Sequence, residues 1–266
     1  MDIARNQRLG LLGAGRLGEA MARTWITRTG QGLLVWSRSG PPPANNREIR
    51  IAEGTWVPKW TVVLEARSIV IAIPGRAILD LAQGNKQAKQ FTGNIFSAAA
   101  SLTRESLQRA FPRATVVCIS PFLIDDVNSI PMLVLKPSDL PVAQWEKVKA
   151  ELENFGELDV IEDEQAFADM SLLGASWATV VMSALEAAAR AGVQRLDDEA
   201  AIELGRSLFF RGVQSLLTKH TEQNSSGDIV TPGGITERGL KSLGDLTSLF
   251  ESVFNQMRAR ADELRA

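Results

Sequence analysis

Three glycines near the amino terminus, Gly13, Gly15 and Gly18, stand in a Gly-x-Gly-x-x-Gly spacing directly after the apolar run Leu9-Gly10-Leu11-Leu12. Gly13 permits a tight turn and Gly15 lets backbone approach a pyrophosphate. Gly18 lets a helix pack closely on its strand. The pyrophosphate would meet the free N–H groups of the helix start, where Arg16 and Leu17 stand. A glycine-rich turn without any ligand has the same composition. The strand before it and the amphipathic helix after it favour a dinucleotide.

Where an acid would hold the ribose 2′-hydroxyl of NAD, about 20 residues further on, the chain has Ser37-Arg38-Ser39. An arginine flanked by two hydroxyls suits the additional 2′-phosphate of NADP through charge-assisted hydrogen bonds, so NADPH is the expected cofactor. The bland alternative is an ordinary turn arginine. In Ile71-Ala72-Ile73-Pro74-Gly75, topology alone places Ala72 and Pro74 at the carboxyl edge where nicotinamide and its ribose would rest.

A second constellation lies late in the chain, at Val230-Thr231-Pro232-Gly233-Gly234-Ile235-Thr236. The paired glycines after a proline expose backbone N–H groups just before a helix, a nest suited to a carboxylate. Thr231 and Thr236 add hydroxyls on either side. Equally, Thr236 is an N-cap and Gly233-Gly234 a plain turn. Other chemistries are poorly supplied. The single histidine, His220, sits in a polar stretch and reads as a solvated loop residue; there is no tyrosine, and Cys118 is the one cysteine. A Cys/His metal site lacks ligands, and tyrosine-based dehydrogenases are excluded.

The elements that must position these residues follow from pattern. Short apolar runs at 8–12, 32–36, 49–52, 68–73, 94–97, 115–119 and 132–135 read as strands, with helices over 17–27, 76–83, 103–111 and 143–155 between them. Such alternation predicts an α/β Rossmann domain with a mostly parallel sheet over residues 1–161. Pro41-Pro42-Pro43 reads as a turn. Beyond Glu162 strand signals vanish. A long apolar helix over 164–191 stops at Gly192, and Asp197 or Asp198 caps a second helix running toward Lys219. A loop over 221–235 follows, then further helices, so 162–266 is expected to be an all-α dimerisation and substrate domain. The uncharged stretch 170–185 is too short and too rich in Gly, Ser and Thr for a membrane span, and reads as a buried helix. A second copy of the chain would cover what one copy cannot.

Composition agrees with a soluble protein: 266 residues, 45% apolar, 23% charged, net charge −2. It gives no reason to expect nucleic acid or an anionic membrane as partner. The amino-terminal residues lack the apolar core of a signal peptide, and the cytoplasm is the expected compartment.

The late Val-Thr-Pro-Gly-Gly-Ile-Thr segment is similar to the substrate loop of pyrroline-5-carboxylate reductases. The glycine turn, Ile95-Phe96-Ser97-Ala98-Ala99-Ala100 and Glu186-Ala187-Ala188-Ala189-Arg190-Ala191-Gly192-Val193 resemble that family in the same order, over nearly the whole chain. The resemblance implies a Rossmann domain followed by a helical dimerisation domain, with NADPH reducing a five-membered cyclic imino acid to proline. It implies that Thr236 hydrogen-bonds the imine nitrogen, and that Thr231 and the N–H groups of Gly233 and Gly234 hold the substrate carboxylate.

Three departures bear on the substrate. Ile73 stands where the family often has lysine, and Ile119-Ser120-Pro121-Phe122-Leu123 lacks the family's asparagine. Trp177 replaces a glycine and should fill space in or near the pocket. β-Hydroxyacid dehydrogenases share the two-domain plan but need a lysine and an asparagine on the first helix of the second domain, and neither occurs between Glu164 and Gly192.

Imine reduction suits a chain poor in acid–base residues, because a protonated imine brings its own positive charge and the product amine keeps the proton. The competing reading is a non-catalytic NADPH-binding partner or regulator on the same fold.

Overall fold

The computed structural model describes residues 9–41, 54–100, 102–122, 128–194, 196–222 and 246–265. The chain divides into two compact units, residues 1–175 with 258–266, and residues 176–257. Strands end at Ile161, the expected domain limit, but the compact division falls further on, at Ala175/Ser176.

The first unit is built on one eight-stranded sheet: β1 (Leu9–Leu12), β2 (Leu33–Trp36), β3 (Gly54–Trp56), β4 (Ser68–Ile71), β5 (Asn94–Ser97), β6 (Thr115–Pro121), β7 (Met132–Leu135) and β8 (Leu158–Ile161). Their spatial order is β3-β2-β1-β4-β5-β6-β7-β8. Every pairing is parallel except β6 with β7. Strand order reverses between β1 and β4, the switch point of a doubly wound fold.

Side-chain alternation assigns the layers. Ile69 and Ile71 of β4, Ile95 of β5 and Val116 of β6 enter one buried cluster, whereas Val70, Phe96 and Val117 enter the other. Successive side chains of a strand point to opposite faces, so each cluster is one face of the sheet. On the first face lie Val63 of α2 (Trp60–Val63), Ile78 and Ala82 of α3 (Gly75–Ala82) and Leu107 of α5 (Arg104–Ala110). On the other are Met21, Ala22 and Trp25 of α1 (Arg16–Thr29), with Trp145, Val148 and Leu152 of α6 (Val142–Leu152). Both faces are covered, which is why β1, β4 and β7 are apolar almost throughout. A further short helix, α4 (Lys86–Gln90), is capped by Asn85, whose side chain accepts from the N–H of Ala88 at 3.1 Å.

Several boundaries differ from expectation. The strand expected at 49–52 lies outside the described residues, and β3 follows it at Gly54–Trp56. β4 stops at Ile71 rather than residue 73, because Pro74 ends the donor row. β6 runs on to Pro121, paired with Met132 of β7. β8 was not expected at all. Its Asp159 and Val160 are exposed at the sheet's edge, so no apolar face marks it.

After β8, α7 (Glu164–Ser171) is capped by Asp163, whose carboxylate accepts from the N–H of Ala166 at 2.6 Å. It continues through a π-helical segment (Leu172–Trp177) into α8 (Ala178–Gly192), ending at the glycine expected to stop it. Contrary to the expectation of a buried helix, only 6% of the most apolar 18-residue window of this 29-residue run is buried in the single chain, although by length and composition it could cross a membrane.

α9 (Glu199–Glu222) starts at Asp198, whose carboxylate accepts from the N–H of Ala201 at 2.8 Å. It extends past Lys219 to Glu222, so His220 belongs to a helix rather than a loop. In the second unit α8 packs on α9; a Cβ on Gly205 would stand 2.7 Å from Cγ1 of Val193. The last helix, α10 (Leu246–Arg265), contributes its final residues to the first unit, where Arg258 pairs with Asp169 of α7.

Candidate functional site

The glycine turn occupies the switch point. The N–H of Gly13 donates to the carbonyl of Trp36 at 2.8 Å, and the N–H of Ala72 donates to the carbonyl of Leu12 at 2.8 Å. These bonds extend the ladders of β2 and β4 past the end of β1 and fix the floor of the crevice.

Each glycine has a separate physical reason. Gly13 has φ +103°, and a Cβ there would lie 2.5 Å from the Ala72 carbonyl oxygen. A Cβ on Gly18 would lie 1.9 Å from the Gly13 carbonyl oxygen, so the helix can approach the turn only without a side chain. At Gly15 a Cβ would meet nothing within 4 Å. Neither packing nor a left-handed φ requires glycine at that position. Gly15 is the N-cap of α1 and offers its helix no side-chain cap. It is exposed, as is Arg16, and Leu17 is half-buried. The first N–H groups of α1 therefore lack a helical acceptor, beside a Gly15 with open space where a Cβ would stand. Glu19, the acid of the first turn, is buried and pairs with Arg23.

Ser37, Arg38 and Ser39 form a turn closed by the N–H of Gly40 on the Ser37 carbonyl at 3.0 Å. The two serine hydroxyls lie 3.2 Å apart, and Arg38 is exposed between them. Among the described residues no carboxylate pairs with Arg38. Ala72 and Pro74 follow β4 at the same sheet edge, Pro74 being the N-cap position of α3. The end of β5 is closed by the Ser97 hydroxyl, which accepts from the N–H of Ala99 at 3.3 Å.

Phe122 is a feature that sequence reasoning noted as a departure but gave no place. It follows β6 at the carboxyl edge, where its N–H donates to the Pro131 carbonyl at 2.9 Å. Its ring lies over Gly174 of the π-helical segment; a Cβ on Gly174 would stand 2.2 Å from the ring's Cε1. The available signal was position, since a residue just past a strand on this edge faces the crevice side. Arg76, in the first turn of α3, is the other residue that reasoning passed over.

The structure brings Gly13, Gly15, Arg16, Leu17, Gly18, Ser37, Arg38, Ser39, Ala72 and Pro74 to one edge of the sheet. Thr231, Gly233, Gly234 and Thr236 lie outside the described residues, and Trp177 is described in its backbone alone. Among the described residues no group of three His, Cys, Asp or Glu side chains could hold a metal ion.

No protein-family model matches the chain, and no curated protein sequence matches it. Solved structures do. Pyrroline carboxylate reductase of Plasmodium falciparum, solved with NADP bound, superposes with a TM-score of 0.77 at 18% identity, covering 97% of each chain. The 1-pyrroline-5-carboxylate reductase of Streptococcus pyogenes gives 0.76 at 18%, over 98% of this chain and 99% of its own. A reductive aminase from Aspergillus terreus in complex with NADPH and ethyl-5-oxohexanoate gives 0.59 at 16%, over 82% and 77%. The likeness establishes the fold, a Rossmann domain followed by a helical domain, over essentially the whole chain.

Proposed function

We propose that this chain is an NADPH-dependent reductase of a cyclic imino acid, resembling the reduction of 1-pyrroline-5-carboxylate to proline. The observation that carries the reading is the uncapped start of α1 at the switch point, with open space over Gly15. A pyrophosphate would take up N–H groups that have no helical acceptor and, among the described residues, no side-chain cap. The fold shared with imine-reducing enzymes supports the rest.

When bound, NADPH supplies the hydride that adds to the imine carbon as the C=N electron pair moves onto nitrogen. The chain's own residues bind and orient. Gly13, Gly15 and Gly18 shape the phosphate seat, with the N–H groups of Arg16 and Leu17 over it, and Ser37, Arg38 and Ser39 receive the 2′-phosphate. Ala72 and Pro74 border the nicotinamide half. Thr236 hydrogen-bonds the imine nitrogen, Thr231 with the N–H groups of Gly233 and Gly234 holds the carboxylate, and Trp177 borders the ring. No base is needed, since nitrogen keeps its proton; orientation is the main contribution. The working form in this reading is a cytoplasmic homodimer, in which a second copy covers the apolar helices.

NADPH oxidation with a panel of cyclic imines, 1-pyrroline-5-carboxylate included, tests the proposal. Turnover of a carboxylated cyclic imine is expected. NADPH binding with no imine turned over would make the chain a non-catalytic binder instead.

A further inference from the structure

Arg76 has no task in the proposed reading, and local stability does not explain its position. It stands in the first turn of α3, where the helix macrodipole disfavours a cation, two residues after an N-cap position, Pro74, that makes no side-chain cap. Its side chain is 91% exposed, and Asp80, itself 66% exposed, lies 3.9 Å from its Nε, a weak contact in water.

Across the crevice stands another exposed arginine, Arg38, just past β2. Strands β2, β1 and β4 are neighbours in that order, so the two carboxyl ends bearing these arginines are two strand spacings apart, about 10 Å. Between them lies Gly13, bonded to the Trp36 carbonyl on one side and in tight contact with Ala72 and Ile73 on the other. Trp36 and Ile73 are both half-buried and pack on the same buried cluster, so an apolar floor joins the two ends. Two outward guanidinium groups over an apolar floor match a flat heterocycle carrying a dianion, and guanidinium groups bind phosphate through paired N–H bonds.

We propose that Arg76 and Arg38 together clamp the 2′-phosphate of the dinucleotide, and that Arg76 is thereby a second determinant of cofactor choice. This rests on the NADPH reading and adds a residue to it.

Dissociation constants for NADPH and NADH, read from quenching of tryptophan fluorescence, test it in the full-length protein, with adenosine 2′,5′-bisphosphate and AMP as competing probes. Arg76→Ala should weaken NADPH and the bisphosphate about tenfold, the size of one lost charge-assisted contact, and leave NADH and AMP within about twofold. Arg76→Lys should fall between. Asp80→Asn, which removes only the competing carboxylate, should bind NADPH at least as tightly as the parent. Equal weakening of NADPH and NADH by Arg76→Ala, no weakening of either, or weakening by Asp80→Asn to the same extent would overturn the clamp. If Arg38→Ala abolishes the preference for NADPH while Arg76→Ala retains it, the clamp alone falls. If the parent protein does not prefer NADPH, the NADPH reading falls with it.

Discussion

The three glycines of the turn make separable predictions because their surroundings differ. Gly18→Ala forces a methyl group to 1.9 Å from a carbonyl oxygen and should cost at least about 2 kcal/mol in urea unfolding, within the usual range for overpacking. Gly15→Ala meets nothing, so stability should change by less than about 1 kcal/mol, the scale of an N-cap exchange. Its effect should appear in NADPH affinity, because a methyl group would stand where phosphate must approach. Unaltered affinity in Gly15→Ala would mean that the open space is not the phosphate seat. Arg38→Ala should weaken NADPH far more than NADH. For the proposed Thr236 contact, Thr236→Val should lower kcat while leaving NADPH affinity nearly unchanged; full activity would reduce Thr236 to a helix cap.

Among the elements, the π-helical segment and Phe122 act as a pair. Gly174→Ala should destabilise by about 1–3 kcal/mol, because the new methyl group collides with the Phe122 ring. Combined with Phe122→Ala it should cost less than the sum of the two single changes by more than about 0.5 kcal/mol. Strict additivity would show that the ring does not rest there in solution. The elements most legible in the sequence were those whose burial repeats. Leu9-Gly10-Leu11-Leu12 and Met132-Leu133-Val134-Leu135 are apolar on both faces, and Asp198 caps α9 as a residue of its type should. β8 was illegible because edge exposure erases its pattern, and α2 and α4 are too short to show a helical period. The glycine turn could be read because Gly13 and Gly18 each answer a steric demand. The contact between Phe122 and Gly174 could not, since it joins residues far apart in the chain whose types alone announce nothing.

For the whole molecule, the question is what covers the apolar helices. Leu204 and Leu208, one turn apart on α9, are each 56% exposed in the single chain. Side chains at that spacing share a helix face. If a second copy covers that face, sedimentation should give twice the 28.9 kDa chain mass, and Leu204→Glu with Leu208→Glu should return the monomer. A monomeric parent protein would remove the homodimer from the proposal. The reversed direction of β7 has a consequence for the path of the chain. Because β8 follows β7 downward, α7 climbs again, and Gly174 arrives beside Phe122 at the rim where the glycine turn lies. Were β7 and β8 aligned with their neighbours, α7 would run toward the opposite rim instead. One inverted strand pair thus decides which rim of the sheet the chain has reached at Gly174.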